Sequence, residues 1–206
     1  MAGQPVFAIA VDPTTPATLY CGTNQTVQKS VDGAGSWSPV STGLPGFTAV
    51  NALAVDPTTP ATVYAGVAGN RVYKTTTGGT SWAITGVGPT TATSIVIDPV
   101  APAVYAAGGS VYASTTGGTT WTLAATGLTG TPNVLVLDPS TPTTLYAGTT
   151  TGSSRPRPRA RVGRARAPAS RRGTCARSRS IRWRPRRSSR RRAPAGVYKT
   201  TTSGGA

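Results

Sequence analysis

Apolar positions alternate with polar ones in short runs along this chain, and each run ends at Asp-Pro or at Gly. FAIAVDPTTP, ALAVDPTTP, SIVIDPVAP and VLVLDPSTP share one form, with Asp12, Asp56, Asp98 and Asp138 spaced 44, 42 and 40 residues apart. A second run follows each one, TLYCGT, TVYAGV, AVYAAG and TLYAGT, centred on Tyr20, Tyr64, Tyr105 and Tyr146. A third reads TVQKSVDGAGSW, RVYKTTTGGTSW and SVYASTTGGTTW, ending at Trp37, Trp82 and Trp121. GVYKTTTSGGA closes the chain on the same run without its Trp. Alternating Val, Ile, Tyr and Thr bounded by Gly, Pro, Asn and Asp predicts strands. The first unit then holds four: 8–11, 18–21, 27–31 and 36–40. The Asp-Pro-Thr-Thr-Pro stops predict turns. Pro lacks an N–H and fixes its own φ, and the Asp carboxylate can accept from the backbone two residues on.

Four short strands in about 40–45 residues is the period of a propeller blade. One such sheet cannot hide both of its faces, so copies must stack around an axis. The expected fold is therefore all-β, a partial β-propeller of four to five four-stranded blades. The most specific motif is the turn between the third and fourth strands. Ser30, Asp32, Gly35 and Trp37 resemble the Asp-box, Ser-x-Asp-x-Gly-x-Thr-Trp, of bacterial-neuraminidase-type repeats. Thr75, Thr77, Gly79 and Trp82 match its frame, as do Ser114, Thr116, Gly118 and Trp121. Thr77 and Thr116 depart from the Asp. In the first copy Ala34 takes the Gly place, with Gly35 one position later. Blades of this kind occur in sialidases, sortilin-like receptors, xyloglucan-cleaving hydrolases and a photosystem II assembly factor. The resemblance covers residues 6–152, resumes at Val197, and implies that the box is a folding element, with the acid or hydroxyl capping turn N–H groups and Trp packing between sheets. It also implies an exported bacterial protein.

Composition removes several chemistries. The chain has 206 residues, no His, no Glu and five Asp. His-based triads, His metal sites and Glu acid/base pairs are excluded. A sialidase would also need an arginine triad, yet Arg71 is the only Arg outside one late segment. Neither a catalytic residue nor a cofactor or metal is expected. Cys21 replaces the Ala of the other Tyr-Ala-Gly runs and predicts a half-buried strand thiol; Cys175 gives it no framework. No apolar run reaches the ~20 residues of a membrane span, and no signal peptide opens the chain. Candidate recognition groups lie in the loops joining second to third strands and in the connections between blades: Asn24, Gln25, Asn70, Arg71 and Asn133.

The net charge of +16 belongs to one place. Of 21 basic residues, 17 are Arg between Arg155 and Arg192; the remaining four oppose five Asp, 4 − 5 = −1. Residues 153–195 stand where another repeat is due. Displacing their codons by one base makes Gly163 permit Trp, 42 residues after Trp121, and Ile181 permit Asp, 43 after Asp138. The strings allowed from Arg177 to Pro185 include ALAVDPVAP, although the match stops at Ala176. The expected organisation is residues 1–152 as blades, 153–195 as a frame-shifted blade that reads as a disordered Arg-rich segment, and 196–206 as a truncated strand of the next blade. The chain then reads as a monomeric piece of a longer parent. Its expected function is non-enzymatic: a scaffold presenting loops to a protein or glycan. One alternative is a fragment of an Asp-box glycoside hydrolase. Another is a polyanion binder acting through the arginines, to which nucleic acid would bind only incidentally.

Overall fold

The computed structural model describes residues 4–125, 128, 130–150 and a strand at 196–201. The calls on residues 153–195 lie outside the described residues. All described regular structure is strand, arranged as a β-propeller of four successive antiparallel sheets. Blade 1 comprises β1 (Val6–Val11), β2 (Leu19–Thr23), β3 (Val27–Ser30) and β4 (Ser38–Pro39). Blade 2 comprises β5 (Val50–Val55), β6 (Val63–Val67), β7 (Val72–Thr75) and β8 (Ala83–Ile84). Blade 3 comprises β9 (Ser94–Ile97), β10 (Val104–Gly108), β11 (Ser110–Ser114) and β12 (Thr122–Ala125). Blade 4 has three described strands, β13 (Pro132–Leu137), β14 (Thr144–Thr149) and β15 (Gly196–Thr201).

The repeat fixes the register. Tyr20 stands opposite Lys29, Tyr64 opposite Lys74, Tyr105 opposite Ala113 and Tyr146 opposite Lys199. The last of these pairings sets residues 196–201 as the third strand of blade 4, where the sequence places them in a following blade. The fourth strands shrink to two residues in blades 1 and 2. Here the sequence predicts strand over 36–40, but the turn hydrogen bonds hold Ser36 instead.

The core is a series of three junctions between blades. Tyr20 and Val27 of blade 1 pack with Leu53, Val63 and Trp82 of blade 2. Tyr64 and Val72 pack with Ile95 and Trp121 of blade 3. Tyr105 and Val111 pack with Leu135 and Leu145 of blade 4. The first strands β5 and β9 therefore each serve two junctions, because successive side chains point to opposite faces. Leu53, Ile95 and Leu135 face back, while Ala8, Ala52 and Val96 face forward.

Candidate functional site: two loop ends

Antiparallel order sorts the loops to opposite ends of the blades. The Asp-Pro turns and the Trp turns share one end, and backbone bonds tie them together: Gly33 N–H donates to Ala17 O, and Gly78 N–H to Ala61 O. Each Asp-Pro carboxylate caps its own turn. Asp12 Oδ1 accepts from Thr14 N–H at 2.8 Å and Thr15 N–H at 3.1 Å. Asp56, Asp98 and Asp138 accept from the N–H groups two and three residues on in the same way. Burial pushes the Asp12 carboxyl up, but the Thr14 hydroxyl, the two N–H donors and the charge of Lys29 outweigh it and leave its pKa lowered.

In the Trp turns, Ser30 Oγ accepts from Ala34 N–H at 2.9 Å, Thr75 Oγ1 from Gly79 N–H at 3.1 Å and Ser114 Oγ from Gly118 N–H at 2.8 Å. Asp32 accepts from the Ser36 hydroxyl at 2.6 Å and Ser36 N–H at 2.9 Å, which with the Ser30 hydroxyl holds its pKa at about 2. Thr77 and Thr116 take the same place through one oxygen each, from Ser81 N–H at 3.2 Å and Thr120 N–H at 2.9 Å. Gly79 and Gly118 lie at φ 95° and 91°, and the residue at the same place in blade 1 is Ala34, φ 74°, rather than Gly35.

These turns also latch blades together. Trp82 Nε1–H donates to Val40 O at 2.7 Å, and Trp121 Nε1–H to Thr85 Oγ1 at 3.2 Å, each reaching the outer edge of the blade before. Trp37 is half-buried. In the opposite direction Lys29 Nζ and Tyr20 OH both donate to Gly78 O, at 3.0 and 3.2 Å, with the ammonium 5.3 Å from the Tyr20 ring centroid. Lys74 repeats this over Tyr64 and donates to Gly117 O at 3.1 Å. Burial, then the Asp56 charge, pushes the Tyr64 hydroxyl up to about 12. A groove of roughly 580 Å³ runs between the second and third Trp turns, lined by Lys74, Thr76, Ser81, Ile84 and Thr119 among others, with no carboxylate in its wall.

The other end carries the second-to-third-strand turns and the connections between blades. Gly69 N–H donates to Thr91 Oγ1 at 2.9 Å and Arg71 N–H to Thr90 O at 3.0 Å, so the blade-2 turn is fastened to the next connection. Arg71 sits at φ 72°. Asn70 Nδ2 donates to Ala68 O at 3.2 Å, and Gln25 N–H to Thr23 Oγ1 at 3.3 Å. Asn24 Oδ1 is buried and has no hydrogen-bond partner among the described residues. Asn24, Gln25, Asn70 and Arg71 thus occupy corresponding turns of adjacent blades. Asn133 lies within β13, at the irregularity between Pro132 and Val134, and not in a loop.

One residue of this end escaped the sequence. Phe47, in the connection from blade 1 to blade 2, is 87% exposed and holds φ 56°. A bulky side chain in left-handed backbone is strained, and strain of that kind collects at functional positions. Val87, in the next connection, is also exposed. Only the count of two Phe in the chain could have drawn attention to it.

No group of three His, Cys, Asp or Glu that could hold a metal occurs among the described residues, and none of their helices is long and apolar enough to cross a membrane. Cys21 is fully buried in β2, against the half-buried expectation, and burial pushes its thiol up.

No family model matches the chain, and no curated protein matches it. Solved structures do. A GH74 enzyme from Niastella koreensis superposes with a TM-score of 0.61 at 24% identity, covering 70% of this chain and 26% of that one. A GH74 xyloglucanase from Xanthomonas campestris gives 0.58 at 19%, covering 70% and 27%. YCF48 bound to D1 peptide gives 0.57 at 17%, covering 73% and 50%. The chain spans between a quarter and a half of these relatives, and the likeness is one of fold.

Proposed function

We propose that residues 1–152 form a protein-binding propeller whose Asp-box-like turns are structural and whose partner sits on the opposite loop end, around Phe47, Asn70 and Arg71. The observation that carries this reading is the placement of the acids. All five aspartates of the chain lie in the described residues, and each accepts turn hydrogen bonds. Glycoside hydrolysis needs two carboxyl groups about 5–10 Å apart across one bond, and four of these five recur one per blade. The neighbour bound to a D1 peptide supports a protein ligand on such a scaffold, and the exposed Phe47 supplies the apolar anchor a peptide would need. The Arg155–Arg192 segment stands apart from this role.

Selection of a random peptide library against the full chain at high salt tests the reading. Enriched peptides should lose at least tenfold in affinity on Phe47→Ser, which leaves the buried junctions untouched. Release of oligosaccharides from xyloglucan by the same protein would favour the hydrolase instead.

A further inference from the structure

One aspartate stands in a different sequence context from the rest. Asp12, Asp56, Asp98 and Asp138 each precede Pro, whereas Asp32 precedes Gly33. The difference is chemical. A backbone amide nitrogen can attack the side-chain carboxyl of the Asp before it and close a succinimide ring with loss of water. A Pro nitrogen carries no hydrogen to lose, so the Asp-Pro aspartates cannot react in this way. Gly obstructs the attack least, because it has no Cβ.

The Trp turn itself calls for this pair. Gly33 lies at φ 69°, and its counterparts Gly78 and Gly117 lie at 63°. A Cβ at Gly33 would meet nothing within 4 Å, so the backbone angle and not crowding requires Gly. The place before it must accept from the N–H four residues on, and Asp32, Thr77 and Thr116 do so. Among the described Trp turns, blade 1 alone fills that place with a carboxyl group.

The closed turn keeps both reacting groups occupied. Gly33 N–H donates to Ala17 O at 2.9 Å. Asp32 Oδ1 accepts from the Ser30 hydroxyl at 2.7 Å and Ser36 N–H at 2.9 Å, and Oδ2 accepts from the Ser36 hydroxyl at 2.6 Å. The carboxyl group lies against Gly35, where an added Cβ would stand 3.3 Å from Asp32 Cγ. Its oxygen leaves as water only from the protonated form, which a pKa of about 2 makes scarce at neutral pH. Cyclisation must break the bond to Ala17 and draw the carboxyl group away from both serines, so it waits for local opening of the turn.

We infer that Asp32-Gly33 is a site of covalent self-modification that the closed Trp turn of blade 1 shuts off and local opening turns on. In the open turn, Gly33 N bonds to Asp32 Cγ, and the amide proton and the carboxyl hydroxyl leave together as water. Solvent water then opens the ring at either carbonyl, with no oxidant or reductant. Opening at Cγ restores Asp32. Opening at the main-chain carbonyl leaves isoaspartate, with the chain running through Cβ and Cγ. The isomer lengthens the backbone by one methylene and sets its carboxylate directly on Cα, so the bonds to Ser36 are lost and the turn stays open.

The test holds the full chain at neutral pH in heavy-oxygen water, native and in guanidinium chloride, before tryptic digestion. Cleavage after Lys29 and Arg71 releases residues 30–71. Each ring opening leaves one heavy oxygen on residue 32, and fragmentation of this peptide locates it and separates isoaspartate from Asp. The native chain should take up label at residue 32 at least about tenfold more slowly than the unfolded chain, because only its opened fraction reacts. Ser36→Ala removes an exposed hydroxyl and keeps the backbone N–H. It should leave circular dichroism unchanged and speed native labelling at least about threefold, through loss of one hydrogen bond to the carboxylate. Equal rates in native and unfolded chains would overturn the inference. So would an unfolded chain that stays unlabelled at residue 32, or a native Ser36→Ala chain that labels no faster than wild type.

Discussion

At the scale of the residue, one structural job is done by two chemistries. Asp32 closes the first Trp turn with two oxygens, while Thr77 and Thr116 close the second and third with one. The difference has a pH signature. The Asp32 pKa falls from an ordinary 3.8 to about 2 in the folded protein. A lowered folded pKa stabilises fully above the unfolded value and loses that contribution as pH falls through the folded one. Asp32→Thr should therefore be less stable than wild type at pH 6, and the gap should close between about pH 4 and pH 2. Thermal midpoints of both proteins in steps across that range check this. Asp12 is retained in both, so its own lowered pKa cancels in the comparison. A gap that stays constant to pH 2 would mean that the carboxylate charge plays no part in the turn.

At the scale of the element, stability resides in contacts between blades, because each sheet is too small to bury its own faces. The indoles show this most directly. Trp82 is buried and donates to the preceding blade, whereas Trp37 has the same turn around it and remains half-exposed. Trp82→Ala should cost about 3–5 kcal/mol and Trp37→Ala less than about 2 kcal/mol. Urea unfolding followed by circular dichroism separates the two. Equal losses would show that the indole acts within its own turn and not between blades. Strand positions and the Asp-Pro turns were legible in the sequence because alternation and turn chemistry are local. The Trp latches were legible as a repeat, but their partners Val40 and Thr85 were not, since nothing local points from one blade to the next. The pairing of β15 with β14 was hidden by the arginine-rich stretch between them, which breaks the spacing on which the repeat reading depends. Phe47 was illegible for the opposite reason: it belongs to no repeat, and its left-handed backbone leaves no mark in composition. Asn133 was misplaced because its Pro-Asn context reads as a loop, whereas the first strand of blade 4 begins at Pro132.

At the scale of the whole molecule, the positive charge is concentrated in one stretch of the sequence, apart from the described blades. Residues outside Arg155–Arg192 sum to −1, and those inside contribute 17 positive charges. Any polyanion binding must then come from the arginines, and it should be blind to base sequence, because phosphate contacts position a protein without reading bases. Neutralising some six to ten phosphates makes affinity fall about 10³- to 10⁵-fold between 50 and 200 mM salt, through counterion release. Fluorescence anisotropy of the full chain with two unrelated DNA duplexes of equal length should give superimposable curves with that steep decline. Affinity that holds constant across this salt range, or differs more than tenfold between the duplexes, would instead place recognition on the blades. That outcome would also move Arg71, the one arginine among the described residues, from a protein-binding surface to a nucleic-acid one.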